Sequence, residues 1–438
     1  MKGVGFGGCA LGAFAALAML SGCGGRSGTP LNPSAAGVTP DGTRAAMYTV
    51  VYSFKGGSKD GRYPFAGVIN VNGTLYGTTN VGGGRGCSYR EGCGTVYRIK
   101  ASGKEAVLHR FKGGPADGET PVAPLLNVNG TLYGTTASGG AYGNGTVFAI
   151  TTSGMETVLY SFKGVPADGA RPRAPLLNVN GTLYGTTVEG GAQSCSSYEG
   201  GGCGTVFSIT PSGKETVLHS FKGAKTDGQN PDGGLIYVNG KLYGTTHGGG
   251  PNCFFGVGAV CGTVFSITSS GKERVLYFFK GGTTDGQNPD ARLIYVKGKL
   301  YGMTTGAGAY NLGTVFATTP SGTETVLHSF GNGSDGAIPQ AGLINVNGTL
   351  YGTTVGGGAD SFCSRYYTGC GTVFSITTSG KETVRYRFKG GSTDGDSPQA
   401  GLINVSGTLY GTTAGGGSDY CPYSGPDQGC GTVFSLKP

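Results

Sequence analysis

Most polar side chains of this sequence recur at a fixed period, and those that break the repeat are the candidates for ligand chemistry. Each Asp-Gly-x-x-Pro segment is followed by a residue that varies in size and charge. In chain order this residue is Phe65, Val122, Arg173, Asp232, Asp290, Gln340 and Gln399. Guanidinium, carboxylate and carboxamide groups hydrogen-bond polar ligands, and a phenylalanine ring stacks on a sugar or an aromatic group. We therefore predict that all of these residues except Val122 contact a ligand, with variable solvated loops as the alternative.

No catalytic set emerges from the other reactive residues. Three of the four histidines share one position of the repeat with four tyrosines: His109, His219 and His328, and Tyr52, Tyr160, Tyr277 and Tyr386. A position that accepts either ring predicts a structural packing role. The fourth, His247, stands alone in a loop, where a histidine is expected to be solvated. We therefore predict no catalytic residues and no cofactor, and a Ser-His-Asp arrangement stays open as an alternative.

The aspartates of the seven Asp-Gly pairs offer one possible metal site. A ring of carboxylates at a channel mouth would suit calcium, which prefers oxygen ligands. Aspartate before glycine is also the usual turn residue, because its carboxylate bonds nearby backbone N–H groups. We favour the turn interpretation and predict no metal site.

Ten cysteines form five closely spaced pairs, each in the same variable loop of the repeat. The pairs are Cys87/Cys93, Cys195/Cys203, Cys253/Cys261, Cys363/Cys370 and Cys421/Cys430. Two copies lack both cysteines and have shorter loops, which argues for pairing within a loop. No Cys-x-x-Cys spacing occurs, so zinc is disfavoured. We predict five disulfides and an oxidising compartment.

The elements that position these residues are the units of a tandem repeat. Tyr-Gly-Thr-Thr, or Tyr-Gly-Met-Thr in one copy, occurs seven times at intervals of 50 to 59 residues. In the third copy we predict strands over 176–180, 182–187, 205–210 and 215–221. They are joined by an Asn-Gly turn, a glycine-rich loop and a Ser-Gly turn. A four-stranded antiparallel unit of about 50 residues is typical of a propeller blade.

The ends of the repeat array indicate that it closes into a ring. A lone fourth-type strand at 48–54 precedes the first copy, and the last copy stops after its third strand at 431–436. Pairing the two completes the last blade. An open solenoid would need distinct polar caps, and none is visible. We therefore predict an all-β fold, a seven-bladed β-propeller over residues 47–438, with a β-helix as the less favoured alternative.

Alternate connections of an antiparallel meander lie on opposite faces of the ring. The Asn-Gly and Ser-Gly turns therefore share one face, and the longer cysteine and Asp-Gly-x-x-Pro loops share the other. The residue after each loop proline precedes the innermost strand of its blade, so we expect it at the rim of the central channel. This places the predicted ligand site on the long-loop face.

The first 46 residues predict export and anchoring. Lys2 is followed by an apolar run at 10–20, which is too short to span a bilayer. Leu-Ser-Gly-Cys, ending at Cys23, resembles a bacterial lipobox, in which the cysteine carries diacylglycerol. We predict a lipoprotein signal peptide at 1–22, lipidation of Cys23, and a flexible tether at 23–46. The glycine after Cys23 favours the outer membrane or cell surface, and a plain secreted protein is the alternative.

The net charge of +8 does not indicate a specific partner. The basic residues are spread over the repeats and form no run and no stripe interleaved with aromatic residues, so nucleic acid binding is not expected. We expect a monomer that contacts the membrane through the lipid on Cys23.

The repeat as a whole resembles a known family. Leu-x-Tyr-Gly-Thr-Thr-x-x-Gly-Gly, followed by Gly-Thr-Val-Phe and Gly-x-Glu-x-Val-Leu, resembles the GloVer tandem repeat of bacterial surface proteins over about residues 47–438. The unit is also similar to kelch repeats, although phenylalanine stands in the region of the kelch tryptophan. The resemblance implies display outside the cytoplasm and brings no catalytic residues.

Together these features predict a lipid-anchored module that binds a glycan or a protein on its long-loop face. A propeller-type polysaccharide lyase or glycoside hydrolase is the second possibility, so an enzymatic role stays open and is less favoured. A passive structural role in the cell envelope is the third.

Overall fold

The computed structural model describes residues 47–438, except 85, 88–90, 193–194, 196–200, 224, 252–260, 332–333, 359–362, 364–368, 418–420 and 422–428. The predicted signal peptide, Cys23 and the tether lie outside the described residues. Within the described part of the chain every regular element is a β-strand. No helix there is long and apolar enough to cross a membrane.

Seven four-stranded antiparallel sheets, numbered blades 1 to 7 in chain order, form a ring, which confirms the predicted propeller. The innermost strand of each blade, strand A, spans Ile69–Val71, Leu126–Val128, Leu177–Val179, Ile236–Val238, Ile294–Val296, Ile344–Val346 and Ile403–Val405. Strand A of blade 7 contacts strand A of blade 1, as most sequential neighbours do elsewhere in the ring.

The other three strands follow the motifs of the repeat. Strand B, with Tyr-Gly-Thr-Thr, spans Thr74–Thr79, Thr131–Thr136, Thr182–Thr187, Lys241–Thr246, Lys299–Thr304, Thr349–Thr354 and Thr408–Thr413. Strand C, with Thr-Val-Phe, spans Thr95–Ile99, Thr146–Thr151, Thr205–Ile209, Thr263–Thr268, Thr314–Thr318, Thr372–Thr377 and Thr432–Lys437. Strand D spans Glu105–Arg110, Glu156–Ser161, Glu215–Ser220, Glu273–Phe278, Glu324–Ser329, Glu382–Arg387 and, in blade 7, Met47–Ser53.

Each repeat also contains a two-residue ribbon that the sequence did not indicate. The paired segments are Gly61–Arg62 with Val81–Gly82, Gly118–Glu119 with Ser138–Gly139, Gly169–Ala170 with Glu189–Gly190, Gly228–Gln229 with Gly248–Gly249, Gly286–Gln287 with Gly306–Ala307, Gly336–Ala337 with Gly356–Gly357, and Gly395–Asp396 with Gly415–Gly416. The ribbon ties each Asp-Gly loop to the loop that follows strand B. The two long loops therefore share one face, as the meander requires.

The spare N-terminal strand closes the ring. Met47–Ser53 pairs antiparallel with Thr432–Lys437 and completes blade 7. Tyr48 stacks on Tyr386 of blade 6, with 4.1 Å between the ring centroids. At the next interface, Thr412 Oγ1 donates a hydrogen bond to the Ala66 carbonyl at 3.0 Å. The two ends of the propeller are thus joined through both a sheet and a blade interface.

The hydrophobic core is divided into seven similar clusters, one between each pair of neighbouring blades. In blade 2, the buried Phe148 lies against Gly134 of Tyr-Gly-Thr-Thr, where a Cβ atom would come within 2.4 Å of the phenylalanine Cζ. The last threonine of Tyr-Gly-Thr-Thr lies 2.8 Å, between Oγ1 atoms, from the threonine of Gly-Thr-Val-Phe in every blade. Packing within and between blades therefore accounts for the repeated motifs.

Four of the five predicted disulfides are present: Cys87–Cys93, Cys195–Cys203, Cys363–Cys370 and Cys421–Cys430. Their Cα–Cα distances lie between 5.0 and 5.4 Å. Cys261 is also disulfide-bonded, but its predicted partner Cys253 lies outside the described residues. The bridges brace the loops between strands B and C, on the long-loop face.

Candidate functional site

The residues after the loop prolines converge on one mouth of the central channel. Together they line a cavity of about 610 Å³: Phe65, Val122, Arg173, Asp232, Asp290, Gln340 and Gln399. All of them except Arg173 also border the channel itself, a cavity of about 1100 Å³ walled by the A strands. Residues separated by more than 300 positions in the chain thus form one ring, at the place where the sequence analysis expected them.

A left-handed residue before each proline turns the chain toward the channel. None of these residues is glycine, and all have φ between 54° and 57°: Tyr63, Thr120, Arg171, Asn230, Asn288, Ile338 and Ser397. This conformation is unfavourable for non-glycine residues and costs on the order of 1–3 kcal/mol. The backbone N–H of each bonds a carbonyl of the preceding blade, as from Thr120 to Cys93 at 2.9 Å. The loops that carry the post-proline residues are therefore held in place by hydrogen bonds between neighbouring blades.

Blades 3 to 5 carry a charged arc at this mouth, defined here as Arg173, Asp232, His247 and Asp290. Arg173 Nη1 lies 4.0 Å from Asp232 Oδ2, and His247 Nδ1 lies 2.6 Å from Asp290 Oδ1. Thr305 Oγ1 donates to Asp290 Oδ2 at 3.4 Å. The four side chains of the arc are between 20% and 46% exposed. They are therefore positioned by one another and still open to a ligand.

The surroundings of the arc raise the pKa of two of its groups. Burial and the neighbouring carboxylate of Asp290 raise the pKa of Asp232 to about 6, although the charges of Arg173 and His247 oppose the shift. Burial lowers the pKa of His247, but its hydrogen bond with Asp290 and the charges of Asp290 and Asp232 outweigh burial, so that its pKa is raised. The arc thus combines a carboxyl and an imidazole whose pKa values are both raised by their surroundings.

The rest of the ring is apolar or neutral. The Phe65 ring lies parallel to the Tyr63 ring, with 5.7 Å between centroids. The Arg62 guanidinium lies over the same Tyr63 ring, 4.1 Å from its centroid. Blade 2 adds Val122, and blades 6 and 7 add the carboxamides Gln340 and Gln399. The mouth therefore offers three kinds of surface: charged, aromatic and amide.

The sequence analysis missed His247, which it expected to be an isolated solvated residue. His247 directly follows Tyr-Gly-Thr-Thr, and its backbone N–H donates to the carbonyl of Asn230, before the loop proline, at 2.9 Å. The same contact recurs in every blade, so the position after Tyr-Gly-Thr-Thr always lies beside the loop proline. The residues at this position are Asn80, Ala137, Val188, His247, Thr305, Val355 and Ala414. Their variation within a strict repeat was the signal that could have found His247.

The Asp-Gly aspartates lie away from the channel and hold the loops. Asp60 accepts hydrogen bonds from the backbone of Gly61 at 2.6 Å and of Lys55 at 2.8 Å, and from the Tyr52 hydroxyl at 2.9 Å. Where histidine replaces the tyrosine, its Nε2 lies near the same carboxylate, at 3.2 Å for His109, 3.1 Å for His328 and 3.6 Å for His219. None of the seven aspartates lines the mouth or the channel. This geometry agrees with the turn interpretation, and it shows that the side chain at the Tyr/His position faces the aspartate.

Six interfaces between blades contain a second carboxyl group beside this aspartate. Burial, and then the charge of the aspartate, raise the pKa of the first glutamate of strand D to about 7 at Glu105, Glu156, Glu215, Glu273, Glu324 and Glu382. At three interfaces a histidine joins them, as in His109, Asp117 and Glu156, whose ligand atoms lie within 4.8 Å of one another. Because tyrosine replaces this histidine at the other interfaces, we interpret these groups as structural.

Two overlapping stretches of the sequence, residues 31–257 and 194–422, match the model of the Gloeobacter/Verrucomicrobia repeat. Together they cover most of the chain. The chain belongs to the Gloeobacter/Verrucomicrobia repeat family. Membership confirms the resemblance to the GloVer repeat. Among curated proteins, no sequence matches this chain.

Solved structures similar to this Gloeobacter/Verrucomicrobia repeat protein have distant sequences. A fungal alcohol oxidase of the AA5 family in complex with copper has a TM-score of 0.51 and 14% identity, over 88% of this chain and 77% of that one. A gluconolactonase from Xanthomonas campestris has a TM-score of 0.39 and 12% identity, over 90% and 89%. The tricorn protease has a TM-score of 0.40 and 9% identity over 78% of this chain, which spans 27% of the protease. The similarity to the oxidase supports the fold alone.

Proposed function

We propose that this protein is a binding module that holds a polar ligand, a glycan in the first instance, at the long-loop mouth of its channel. The observation that carries the proposal is the convergence of the post-proline residues on one cavity of about 610 Å³. These are the positions at which an otherwise uniform ring differs from blade to blade. A site with specificity needs such differences, because identical blades would present identical walls.

The chemistry of the mouth suits a sugar better than an apolar ligand. The charged arc offers hydrogen-bond donors and acceptors within one sector, and such groups pair with hydroxyls. Phe65, braced by Tyr63, offers a flat aromatic surface to the apolar face of a sugar ring. Because the interfaces and disulfides hold the loops in place, little conformational entropy is lost on binding. A protein ligand with a polar tip is the other occupant consistent with this mouth.

The test begins with a glycan array and continues with the triple variant R173Q/D232N/D290N. We expect the variant to weaken binding of the captured glycan by about tenfold or more, because truncated central polar contacts dominate binding energies. The control is K214Q/K272Q/K381Q, which changes exposed lysines at Ser-Gly turns on the other face and should bind normally. Full affinity in the first variant would place the site elsewhere. If the protein bound no glycan on the array, a structural role in the cell envelope would be favoured.

A glycoside hydrolase is the second candidate, and the pair Asp232 and Asp290 favours it. Such enzymes use one carboxyl that is protonated near neutral pH and a second carboxylate nearby. The pKa of Asp232, raised to about 6, suits the role of the acid. Asp290 would be the second carboxylate, and its contact with His247 holds it in position. Mass spectrometry of glycans incubated with the protein tests this candidate. Shortened products that D232N abolishes would support hydrolysis, and intact glycan would support binding alone.

We further propose that the protein is exported and anchored by a lipid on Cys23. The disulfides in four of the long loops support an oxidising compartment. Replacing Cys23 with alanine should release the protein from the membrane fraction and abolish palmitate labelling. Labelling that persists in C23A would contradict the anchor, and C9A serves as the control for loss of a cysteine.

A further inference from the structure

Two neighbouring blades depart from the repeat inside the channel as well as at its long-loop mouth. In five blades the central residue of strand A is asparagine: Asn70, Asn127, Asn178, Asn345 and Asn404. Blades 4 and 5 have Tyr237 and Tyr295 instead. Both tyrosines line the channel cavity, near its hairpin-turn end. The departure therefore concerns one sector of the channel wall.

The asparagines have a structural role that the tyrosines cannot perform. Each asparagine Oδ1 accepts a hydrogen bond from the glycine N–H of the A–B hairpin, at 2.8 to 3.0 Å. A tyrosine gives up this bond, and its ring is left exposed, by 46% for Tyr237 and 37% for Tyr295. A single exposed aromatic residue needs no explanation. Two at the same position of adjacent blades, facing one cavity, indicate a surface for a ring-shaped ligand.

A cation accompanies the tyrosines in the channel wall. The residue two positions before strand A is glycine or proline in six blades. These residues are Gly67, Pro124, Pro175, Gly234, Gly342 and Gly401. In blade 5 it is Arg292, whose Nε donates to the Leu235 carbonyl of blade 4 at 3.1 Å. Arg292 lines the same cavity as the tyrosines. Within the described part of the chain it forms no ion pair.

Arg292 is exposed to the channel, so its guanidinium is accessible to a ligand, and a cation without a charged neighbour among the described residues favours an anion. Planar carboxylates match the guanidinium fork and bond it through two N–H groups. A ligand that satisfies Arg292 and also covers the tyrosine rings must combine an anionic group with a ring. A chain of uronic acids has both, and a channel of about 1100 Å³ has room for several sugar units.

We propose that the channel wall of blades 4 and 5 is a second ligand site, which binds an acidic saccharide through Arg292, Tyr237 and Tyr295. The carboxylate pairs with Arg292, and the sugar rings stack on the tyrosines. This site differs from the long-loop mouth in its residues, because Arg292, Tyr237 and Tyr295 line the channel and do not line the mouth cavity. It requires no particular ligand at that mouth.

The test measures binding of tetragalacturonate, tetraglucuronate and tetramannuronate by calorimetry, with the methyl ester of each as an uncharged partner. We expect at least one acid to bind. The affinity of its methyl ester should be lower by at least about tenfold. The variants R292G and Y237N/Y295N should each weaken the acid by about tenfold or more. These substitutions restore the residues of the other blades, so we expect an unchanged or higher melting temperature.

The controls distinguish this site from the arginines and tyrosines of the outer surface. R274T removes one exposed arginine of strand D, and Y310N removes a tyrosine that is 63% exposed outside the channel. Both should bind the acid normally. R173Q/D232N/D290N should bind the acid at least as tightly as the parent protein, because it removes two carboxylates that border the same channel and repel an anion. A negative result at the long-loop mouth therefore does not decide the outcome of this experiment. The proposal is overturned if none of the three acids binds, or if R292G and Y237N/Y295N both keep full affinity.

Discussion

The interfaces between the blades and the ring at the long-loop mouth are built from the same repeats, yet they differ in how strictly they repeat. Every interface uses a buried aromatic ring of strand C over the glycine of strand B, from Tyr97 over Gly77 to Phe434 over Gly411. The seven ring positions instead hold aromatic, aliphatic, cationic, anionic and amide side chains. Uniform packing closes the ring, and only departures from uniformity can distinguish one ligand from another.

The comparison extends to two sectors of the channel. Blades 4 and 5 depart from the repeat at several positions of the channel lining. Asp232 and Asp290 lie at the long-loop mouth, Arg292 lies between the mouth and strand A, and Tyr237 and Tyr295 lie in strand A. The inner strands of blades 6 and 7 keep glycine and asparagine at the corresponding lower positions. The departures cost the hairpins of blades 4 and 5 a hydrogen bond each. We infer that this sector carries the ligand contacts.

The largest expected effect comes from removing the closing strand. Deleting residues 47–54 removes the edge strand of blade 7 and the fully buried Phe54, which alone is worth about 3–5 kcal/mol. We expect the melting temperature, measured by scanning calorimetry, to fall by more than any single substitution would lower it. T49A, within the same strand, serves as the control. An unchanged melting temperature after the deletion would show that the strand does not close the ring.

A smaller loss is expected from crowding one interface. The variant G134A places a Cβ atom within 2.4 Å of Phe148 Cζ and 3.0 Å of Leu125 Cδ2. Overpacking of this kind costs about 1–3 kcal/mol, and urea denaturation measures it. G84A is the matched control, because a Cβ atom on Gly84 meets nothing within 4 Å. Equal stability of the two variants would contradict the packing account of Tyr-Gly-Thr-Thr.

The pH dependence of stability probes the same interfaces. The pKa of the strand D glutamates is raised from 4.5 to about 7 in the fold. The folded state therefore binds more protons than the unfolded chain between these values, and stability falls as the pH rises through them. We expect the melting temperature to decrease from pH 5 to pH 8. Replacing all six glutamates with glutamine should flatten this slope, and an equally steep slope would rule out the glutamates as its cause.

The smallest effect on stability is expected at the ring itself. R173Q/D232N/D290N changes side chains that are between 20% and 46% exposed and lie outside the hydrophobic clusters, and surface substitutions usually alter stability by less than about 0.5 kcal/mol. Its melting temperature should stay within about 2 °C of the parent protein, even where ligand binding is lost. A loss as large as that of G134A would mean that the ring serves stability as well, and would remove the contrast between the two regions.

Much of this molecule could be predicted from local patterns. The Asn-Gly turns, the alternation of apolar residues and the seven-fold count were sufficient for the blades, because each depends on neighbours within about 50 residues. The spare strand and the incomplete last copy were sufficient for closure. The position of the ring at the channel also followed, because a strand that begins at the rim must be preceded by a residue at the rim.

Contacts between blades could not be predicted, since they join residues that no local pattern relates. His247 lies 43 positions before Asp290, and the two meet only because the loop of blade 5 folds against strand B of blade 4. The bond from Tyr52 to Asp60, which explains why tyrosine and histidine alternate, needs the hydroxyl or Nε2 to reach across a loop. Arg292 was overlooked because its neighbours in the channel belong to another blade.

The sequence alone was thus sufficient for the architecture, because a repeat that buries the same ring on the same glycine has one favourable way to stack. The tertiary structure was needed to learn which irregular residues face one another across the channel. That distinction follows from distance along the chain: secondary structure and stacking are set by nearby residues, whereas a site at the axis collects one residue from each of seven distant segments.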